Sequence, residues 1–431
     1  MLIDFAITNF RSIKERQVFS MQTVSRIPEK PENTIQTGSE QLLCSAVIYG
    51  RNASGKSNLM LAADCLYKMV VKSEYKLKSA YQPFKICIDK PTEPIVFEIN
   101  FIANSGKKYY YIVSFNDKEI IEENLYHYPE GKRARLYQRQ TDEFKSDIVG
   151  LKDVWKKLYS NNTLLSRINS DKIDALLEPF MFFRRHFVTQ SFIGDESVWE
   201  LNIETIIKRK SLPFHVENLG KLLKVADTGI DSLEIKTLKP EDFYLPATLD
   251  EKTKKKIISE NSFRIKIKHP IYENETQIGL VDFDFEDESS GTKKLLLFGS
   301  NMLDCLSDGD VLFVDELDKG LHPTLMQAII RIFNNPKTNP NNAQLIFTTH
   351  DVSLLGANLF RRDQMWMTEK DMNGVSSYYT LADMKGIRAD IPFEKYFLKG
   401  AFGGTPVVNE FDFEFNLERT DEKQKQKAEL L

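Results

Sequence analysis

The chain has 431 residues, 42% hydrophobic and 28% charged, with a formal net charge of −4. That composition suits a soluble globular protein of two or three domains and excludes a nucleic-acid binder held by overall charge, leaving only a local basic patch open. The four cysteines, Cys44, Cys65, Cys87 and Cys305, form no close pair for zinc or redox chemistry and favour structural thiols in a reducing cytoplasm.

The start, Met1-Leu-Ile-Asp-Phe5, lacks a basic stretch followed by an apolar core, so no signal peptide is expected. No apolar run approaches the roughly 18 residues needed to span a membrane. Leu2 to Phe10 alternates as a strand and runs into Asn9-Phe10-Arg11-Ser12. Ser25 to Gln41, with Pro28 and Pro31, reads as a loop. Cys44 to Tyr49 is a buried strand, and Asn58 to Tyr67 has helical apolar spacing. Between them lies Gly50-Arg-Asn-Ala-Ser-Gly-Lys-Ser57, glycine, four residues, then Gly-Lys-Ser. Strand, glycine loop, helix is the context a phosphate-binding loop requires. Gly50 and Gly55 permit backbone shapes that turn successive amides inward toward phosphate oxygens, with the positive end of a helix behind them. The candidate nucleotide contacts are therefore Gly50, Asn52, Ser54, Gly55, Lys56, Ser57 and Asn58. Lys56 places charge on the outer phosphates, and Ser57 offers a hydroxyl to Mg2+.

Ser73 to Ser79 is lysine-rich and expected to be exposed. Pro94–Ile102, Tyr109–Phe115 and Glu119–Tyr128 read as an antiparallel meander, with Leu136–Arg139 as a fourth strand. Residues 150 to about 225 have helical spacing (Val154–Tyr159, Ile173–Phe180, Leu201–Lys210) and few glycines. Basic clusters punctuate the middle of the chain at Arg184–His186, Lys208–Lys210 and Lys254–Lys256; solvated helix faces explain them at least as well as a nucleic-acid surface. Strand patterns return at Ser232–Leu238, Phe263–Lys268 and Ile278–Phe285. Gly291–Leu306 is helical, Val311–Val314 a buried strand, Pro323–Asn334 a helix, and Leu345–Thr349 another buried strand. Val352–Phe360 reads as a helix, followed by strands at Gln364–Thr368 and Ser376–Leu381. The tail from Glu410 is highly charged and expected to fray.

Val311-Leu-Phe-Val-Asp-Glu316 places two carboxylates at the end of a buried strand. Asp315 is suited to holding Mg2+, and Glu316 to polarising an attacking water. The wide gap back to Lys56 resembles the ABC-type ATPase heads of the SMC, RecF and OLD (overcoming lysogenization defect) group, in which a long insertion separates the two halves. Four further stretches carry the resemblance. Glu288-Ser-Ser-Gly-Thr-Lys-Lys-Leu295 looks like the family's signature loop, which implies that Ser289, Ser290 and Gly291 contact the γ-phosphate of the opposite subunit. Asp318-Lys-Gly-Leu-His-Pro323 resembles the loop that crosses the dimer interface. Thr348-Thr-His350-Asp351 resembles the switch segment, with His350 on the γ-phosphate. Asn9-Phe-Arg-Ser12 resembles the N-terminal segment, with Arg11 reaching the phosphates. Gln82, in Ala80-Tyr-Gln-Pro-Phe84, is the candidate glutamine-loop contact to metal and water.

Gly386–Asp390 and Tyr396–Pro406 narrow the resemblance to stand-alone OLD-like ATPases of phage-defence and abortive-infection operons. The resemblance implies an α/β fold: an ABC-type P-loop head with a mixed sheet, an antiparallel β-subdomain and a helical insertion. The expected division is lobe I at 1–150, the helical insertion at 151–230, lobe II at 231–385 and a tail at 386–431. It further implies Mg2+-dependent ATP hydrolysis, a homodimer or higher oligomer formed through ATP, a separately encoded effector, a phage-derived trigger and no membrane. The alternative is a RecF- or SMC-like ATPase that binds duplex DNA. No Toprim nuclease is expected, since residues 351–431 complete the sheet and leave too little for a domain of about 100 residues. The alternation Asp282, Asp284, Glu286 reads as a solvent-facing strand rather than a metal cluster.

Overall fold

The structure is a computed structural model that describes residues 1–72, 74–86, 93–168, 173–191, 212–226, 229–246, 248–260, 263–388 and 390–403. In chain order the first elements are β1 (Leu2–Thr8), β2 (Gln17–Ser20), β3 (Thr34–Thr37), β4 (Glu40–Leu43), β5 (Ser45–Gly50), α1 (Lys56–Val71) and α2 (Leu77–Ala80). Then come β6 (Ile95–Ile102), β7 (Lys108–Phe115), β8 (Ile120–His127), β9 (Ala134–Gln140), β10 (Phe144–Lys145), α3 (Leu151–Lys156), α4 (Asp174–His186), β11 (Phe187–Ser191) and α5 (Leu212–Val225). The second half holds β12 (Ser232–Thr237), α6 (Glu251–Glu260), β13 (Phe263–Glu273), β14 (Thr276–Asp284), α7 (Ser290–Asp308), β15 (Val311–Asp315) and α8 (Pro323–Asn334). It closes with β16 (Gln344–Thr348), α9 (Ser353–Gly356), β17 (Met365–Lys370), β18 (Ser376–Thr380) and α10 (Phe393–Leu398).

The central sheet runs β11-β15-β16-β5-β17-β18, parallel except for β18. Every residue of β5, β15 and β16 is buried. Both faces of the sheet are therefore covered, which is why these strands read as continuous apolar runs. Alternate residues feed two cores. Ala46, Ile48, Val311, Phe313 and Ile346 face α1, α4 and the large antiparallel sheet. Val47, Tyr49, Leu312, Val314, Leu345 and Phe347 face α7 and α8.

The antiparallel sheet has order β10-β9-β8-β7-β6-β1-β2, so the meander is extended by the N-terminal strand. At its centre Glu123 is fully buried. Its carboxylate accepts from Tyr111 Oη (3.0 Å), Tyr137 Oη (2.8 Å), Leu164 N (2.7 Å) and Arg139 Nη1 (3.2 Å). Arg139 also donates to Asn162 O at 2.7 Å, so one ionic knot ties the sheet to the segment that leaves it.

Several local expectations change. Residues 25–41 contain a 3-10 turn and the hairpin β3–β4 rather than a plain loop. The segment expected to be all helical supplies β11, which pairs in parallel with β15 (Phe187↔Val311). The helix expected over Val352–Phe360 is only Ser353–Gly356, because Asn358 turns into the left-handed region at φ 51° and stops it. Leu201–Lys210 and the tail from residue 404 lie outside the described residues. Asp282 pairs with Lys236 and Lys268, and Asp284 with Lys266, across the β12–β13–β14 sheet. Among the described residues no helix is long and apolar enough to cross a membrane.

Breaking the Glu123 knot leaves Arg139 buried without its counter-charge. Glu123→Ala is expected to cost about 3–5 kcal/mol of stability, read from the midpoint of a urea unfolding curve.

Candidate nucleotide site

The carboxyl ends of β5, β15 and β16 converge on one edge of the central sheet, beside the N-terminus of α1. A cleft of about 760 Å³ opens there, lined by Arg11, Asn52, Gly55, Lys56, Ser57, Asn58, Gln82, Glu316 and His350. Nine of the expected site residues thus meet at one place. Ser12, Lys85, Ile86 and Lys370 join them and were not anticipated.

The loop is built against β17 and β18. Gly50 has no room for a Cβ, which would collide with the Thr368 hydroxyl. Gly55 caps α1 at φ 115°, and a Cβ there would lie 2.5 Å from Ser376 Oγ. Tyr378 Oη donates to Gly55 O at 2.6 Å and Ser376 Oγ to Ser54 O at 2.6 Å. The carbonyls of Ser54 and Gly55 are thus held by the strand behind the loop, and the N-terminus of α1, whose first residues line the cleft, brings the positive end of a helix to it. Ser54 differs from expectation. Its hydroxyl is 1% exposed and shares a 2.5 Å hydrogen bond with Thr368 Oγ1, so its side chain serves the loop's shape and not a ligand. The Asn58 side chain is likewise engaged, donating from Nδ2 to Ser12 Oγ at 2.6 Å.

Lys56 Nζ donates to Gly50 O (2.7 Å) and Arg51 O (3.3 Å). Burial pushes its pKa down, opposed by Asp315 and Glu316. Ser57 Oγ donates to Asp315 Oδ1 at 3.1 Å across 258 residues of chain. These two oxygens, with the carboxylate buried, form a hard-donor pair that fits Mg2+ beside a phosphate chain. Asp315 lies behind the cleft wall; burial pushes its pKa up, and hydrogen bonds from Thr348 and Ser57 oppose that. Thr348 is the residue that sequence reading left without a role. Its Oγ1 donates to Asp315 Oδ1 at 2.7 Å and accepts from Glu316 N at 2.7 Å, so one hydroxyl holds the first carboxylate and the backbone of the residue that carries the second.

Glu316 has φ 54°, a left-handed backbone at the end of a strand, and its carboxylate is ion-paired with Lys319. His350 lines the same cleft. Burial and the nearby Lys56 push the His350 pKa down, so the ring is neutral at pH 7. Its backbone N–H donates to Asp318 Oδ2 at 3.3 Å. Arg11 and Gln82 hold each other, through Arg11 N to Gln82 O (2.7 Å) and Arg11 Nη1 to Gln82 Oε1 (3.1 Å). Behind the loop, Tyr49 Oη donates to Asp351 O at 3.0 Å, and its ring packs 5.6 Å from that of Phe397 on α10.

The structure does not bring Ser289, Ser290 and Gly291 into this cleft. Ser289 Oγ caps α7 by accepting from Thr292 N at 3.1 Å, and Gly291 rests against Gly320. Of the basic clusters, His186 is tied to Asp310 (2.6 Å) and Asn104 (3.0 Å), and Lys208–Lys210 lie outside the described residues.

Two substitutions test this geometry. Lys56→Ala removes the only lysine on the loop and is expected to abolish nucleotide binding measured by calorimetry. Thr348→Val keeps the volume but removes one hydrogen bond from the Asp315 carboxylate and the acceptor of the Glu316 N–H. It is expected to lower metal-dependent nucleotide affinity or turnover by about 10–100-fold, the usual cost of losing an outer-shell partner.

In fold the chain is similar to the SMC head domain from Thermotoga maritima (14% identity, covering 88% of this chain and 98% of that one, TM-score 0.41). It is also similar to an SMC head bound to the C-winged helix domain of ScpA (13% identity, 88% and 97%, TM-score 0.46). A third is the recombination mediator RecF with ATP (14% identity, 88% and 99%, TM-score 0.39). No curated protein matches the sequence. The family described as "AAA domain, putative AbiEii toxin, Type IV TA system" matches residues 45–356, from the first residue of β5 to the last of α9. That span takes in the phosphate loop, both carboxylates and His350, and the chain belongs to this family of ATP-binding P-loop ATPases.

Proposed function

We propose that this chain is a Mg2+-dependent ATPase that closes on ATP as a pair of copies, each completing the other's site. One observation carries the reading: the cleft gathers Lys56, Ser57, Glu316 and His350 with Asp315 behind them, while Ser289 and Ser290 stand exposed outside it. The Lys56 ammonium turns from the carbonyls of Gly50 and Arg51 to the outer phosphates. Mg2+, when held by Ser57 and Asp315, supplies charge that neutralises the β- and γ-phosphate oxygens. Glu316, released from Lys319, orients the attacking water and takes its proton. Neutral His350 donates to the γ-phosphate, and the partner copy's helix start at Ser290 and Gly291 covers it. In this reading Arg11 and Gln82, which line the same cleft, contact phosphate and metal. The ion pairs that engage Asp282 and Asp284 favour a chain without its own nuclease centre.

The work driven by this cycle has two readings. In the first, an OLD-like defence ATPase holds a separately encoded effector until a phage-derived trigger releases it. The family is described as a putative toxin of a toxin–antitoxin system, which is compatible with a second gene product without assigning it the effector role. In the second, the ATPase acts on duplex DNA. Arg184 and Arg185 are exposed at the end of α4 and support a basic contact there. DNA binding whose affinity falls steeply with salt selects the second, and a protein from the neighbouring reading frame that copurifies selects the first.

Glu316→Gln is expected to slow ATP turnover by about 10²–10⁴-fold and to leave an ATP-bound dimer visible by light scattering. An unchanged rate rejects Glu316 as the base, and a monomer at saturating ATP rejects the shared site.

A further inference from the structure

The turn that follows Glu316 is pinned at its ends and exposed in its middle. Leu317 is fully buried, and its N–H donates to Thr348 O at 3.0 Å; Leu321 is buried as well. Between them Asp318 accepts from His350 N at 3.3 Å, and Lys319 and Gly320 are exposed. The Lys319 ammonium is ion-paired with Glu316 Oε2, a buried oxygen that accepts no hydrogen bond among the described residues. An ammonium therefore stands where a general base needs its water. The lysine side chain is 47% exposed, so the pair is weak, and a small displacement of the turn hands the ammonium to solvent.

The start of α7 is placed to cause that displacement. A Cβ on Gly291 would lie 3.4 Å from Gly320 O, and a Cβ on Gly320 would lie 3.6 Å from Gly291 Cα and 3.2 Å from Lys294 Cδ. Backbone meets backbone there, with no side chain between the two glycines to absorb a shift. Ser289 and Ser290, just before the contact, are exposed. In the paired arrangement proposed above they meet the triphosphate of the second copy and not their own.

We propose, resting on Glu316 as the base and on the shared site, that Lys319 is a brake on Glu316. Each copy's brake is released when its own Ser289–Gly291 engages the triphosphate held by the second copy. The push enters at Gly291, crosses to Gly320 and reaches Glu316 through Lys319. A copy therefore hydrolyses its ATP only when its partner is loaded. Lys319 is a positioning residue: it acts through Glu316 and not on the phosphates.

Mixed pairs test this. Lys56→Ala chains are added in excess to ATP-competent chains too dilute to pair with themselves, and turnover per competent chain is read. Each mixed pair has one loaded site, covered by the start of α7 of the empty copy, while the loaded copy's own Ser289–Gly291 meets no phosphate. Chains with Lys319 are expected to gain no turnover from such partners, whereas Lys319→Met and Lys319→Gln chains gain at least about fivefold. Lys319→Arg keeps the cation and is expected to behave as the unsubstituted chain. The brake is overturned if unsubstituted and Lys319→Met chains both gain turnover, if neither does, or if Lys319→Arg gains as Lys319→Met does. Glu316→Gln separates the two levels. An unchanged rate there removes the base itself, whereas a slow Glu316→Gln beside a Lys319→Met that gains nothing removes the brake alone.

Discussion

The hydrogen bond from Ser57 to Asp315 joins residues 258 positions apart, and the site depends on it. It forms because β5 and β15 both pair in parallel with β16 and end at the same edge of the sheet. Strands buried on both faces cannot slip by one residue without exchanging their two cores, so the register is tightly held. The residues between α1 and α7 are constrained less by their own shape than by the need to return the chain to that edge. Glu123 and Arg139 anchor the outgoing part of this excursion, and the pairing of β11 with β15 brings it back into the sheet.

The second carboxylate is placed at a cost. A non-glycine residue in the left-handed region stores backbone strain, and Glu316 does so at φ 54°. The strain is held by what surrounds it. Its N–H donates to Thr348, its carbonyl accepts from Lys319 N at 3.0 Å, and its side chain pairs with the same lysine. Two of these three restraints come from Lys319, in the turn that also touches Gly291 through Gly320. Rearrangement of that turn therefore reaches the carboxylate and the start of α7 together.

Much of this was legible in the sequence, and the reason is local. The apolar run Val311–Val314 followed by two acids, the glycine spacing of the loop and the amphipathic stretch Pro323–Asn334 each declare themselves within a dozen residues, and the last is α8 with the same bounds. What escaped depends on distant partners. Phe187–Ser191 follows α4 with no breaking residue, and only its register with Val311–Asp315 makes it a strand. Ser54 looks like a ligand until Thr368, 314 residues on, takes its hydroxyl. Thr348 gains its role from the Asp315 carboxylate and the Glu316 N–H at the end of another strand. The use of Ser289–Gly291 cannot be legible in one chain if a second copy is what they serve.

Tyr49 sits one position before the phosphate loop and reaches both the carbonyl of Asp351, beside His350, and the ring of Phe397. It works as a tie rod behind the cleft. A displacement of α10 therefore reaches the strand before the loop and the segment that carries His350, both through Tyr49 and through the direct packing of α9 on α10.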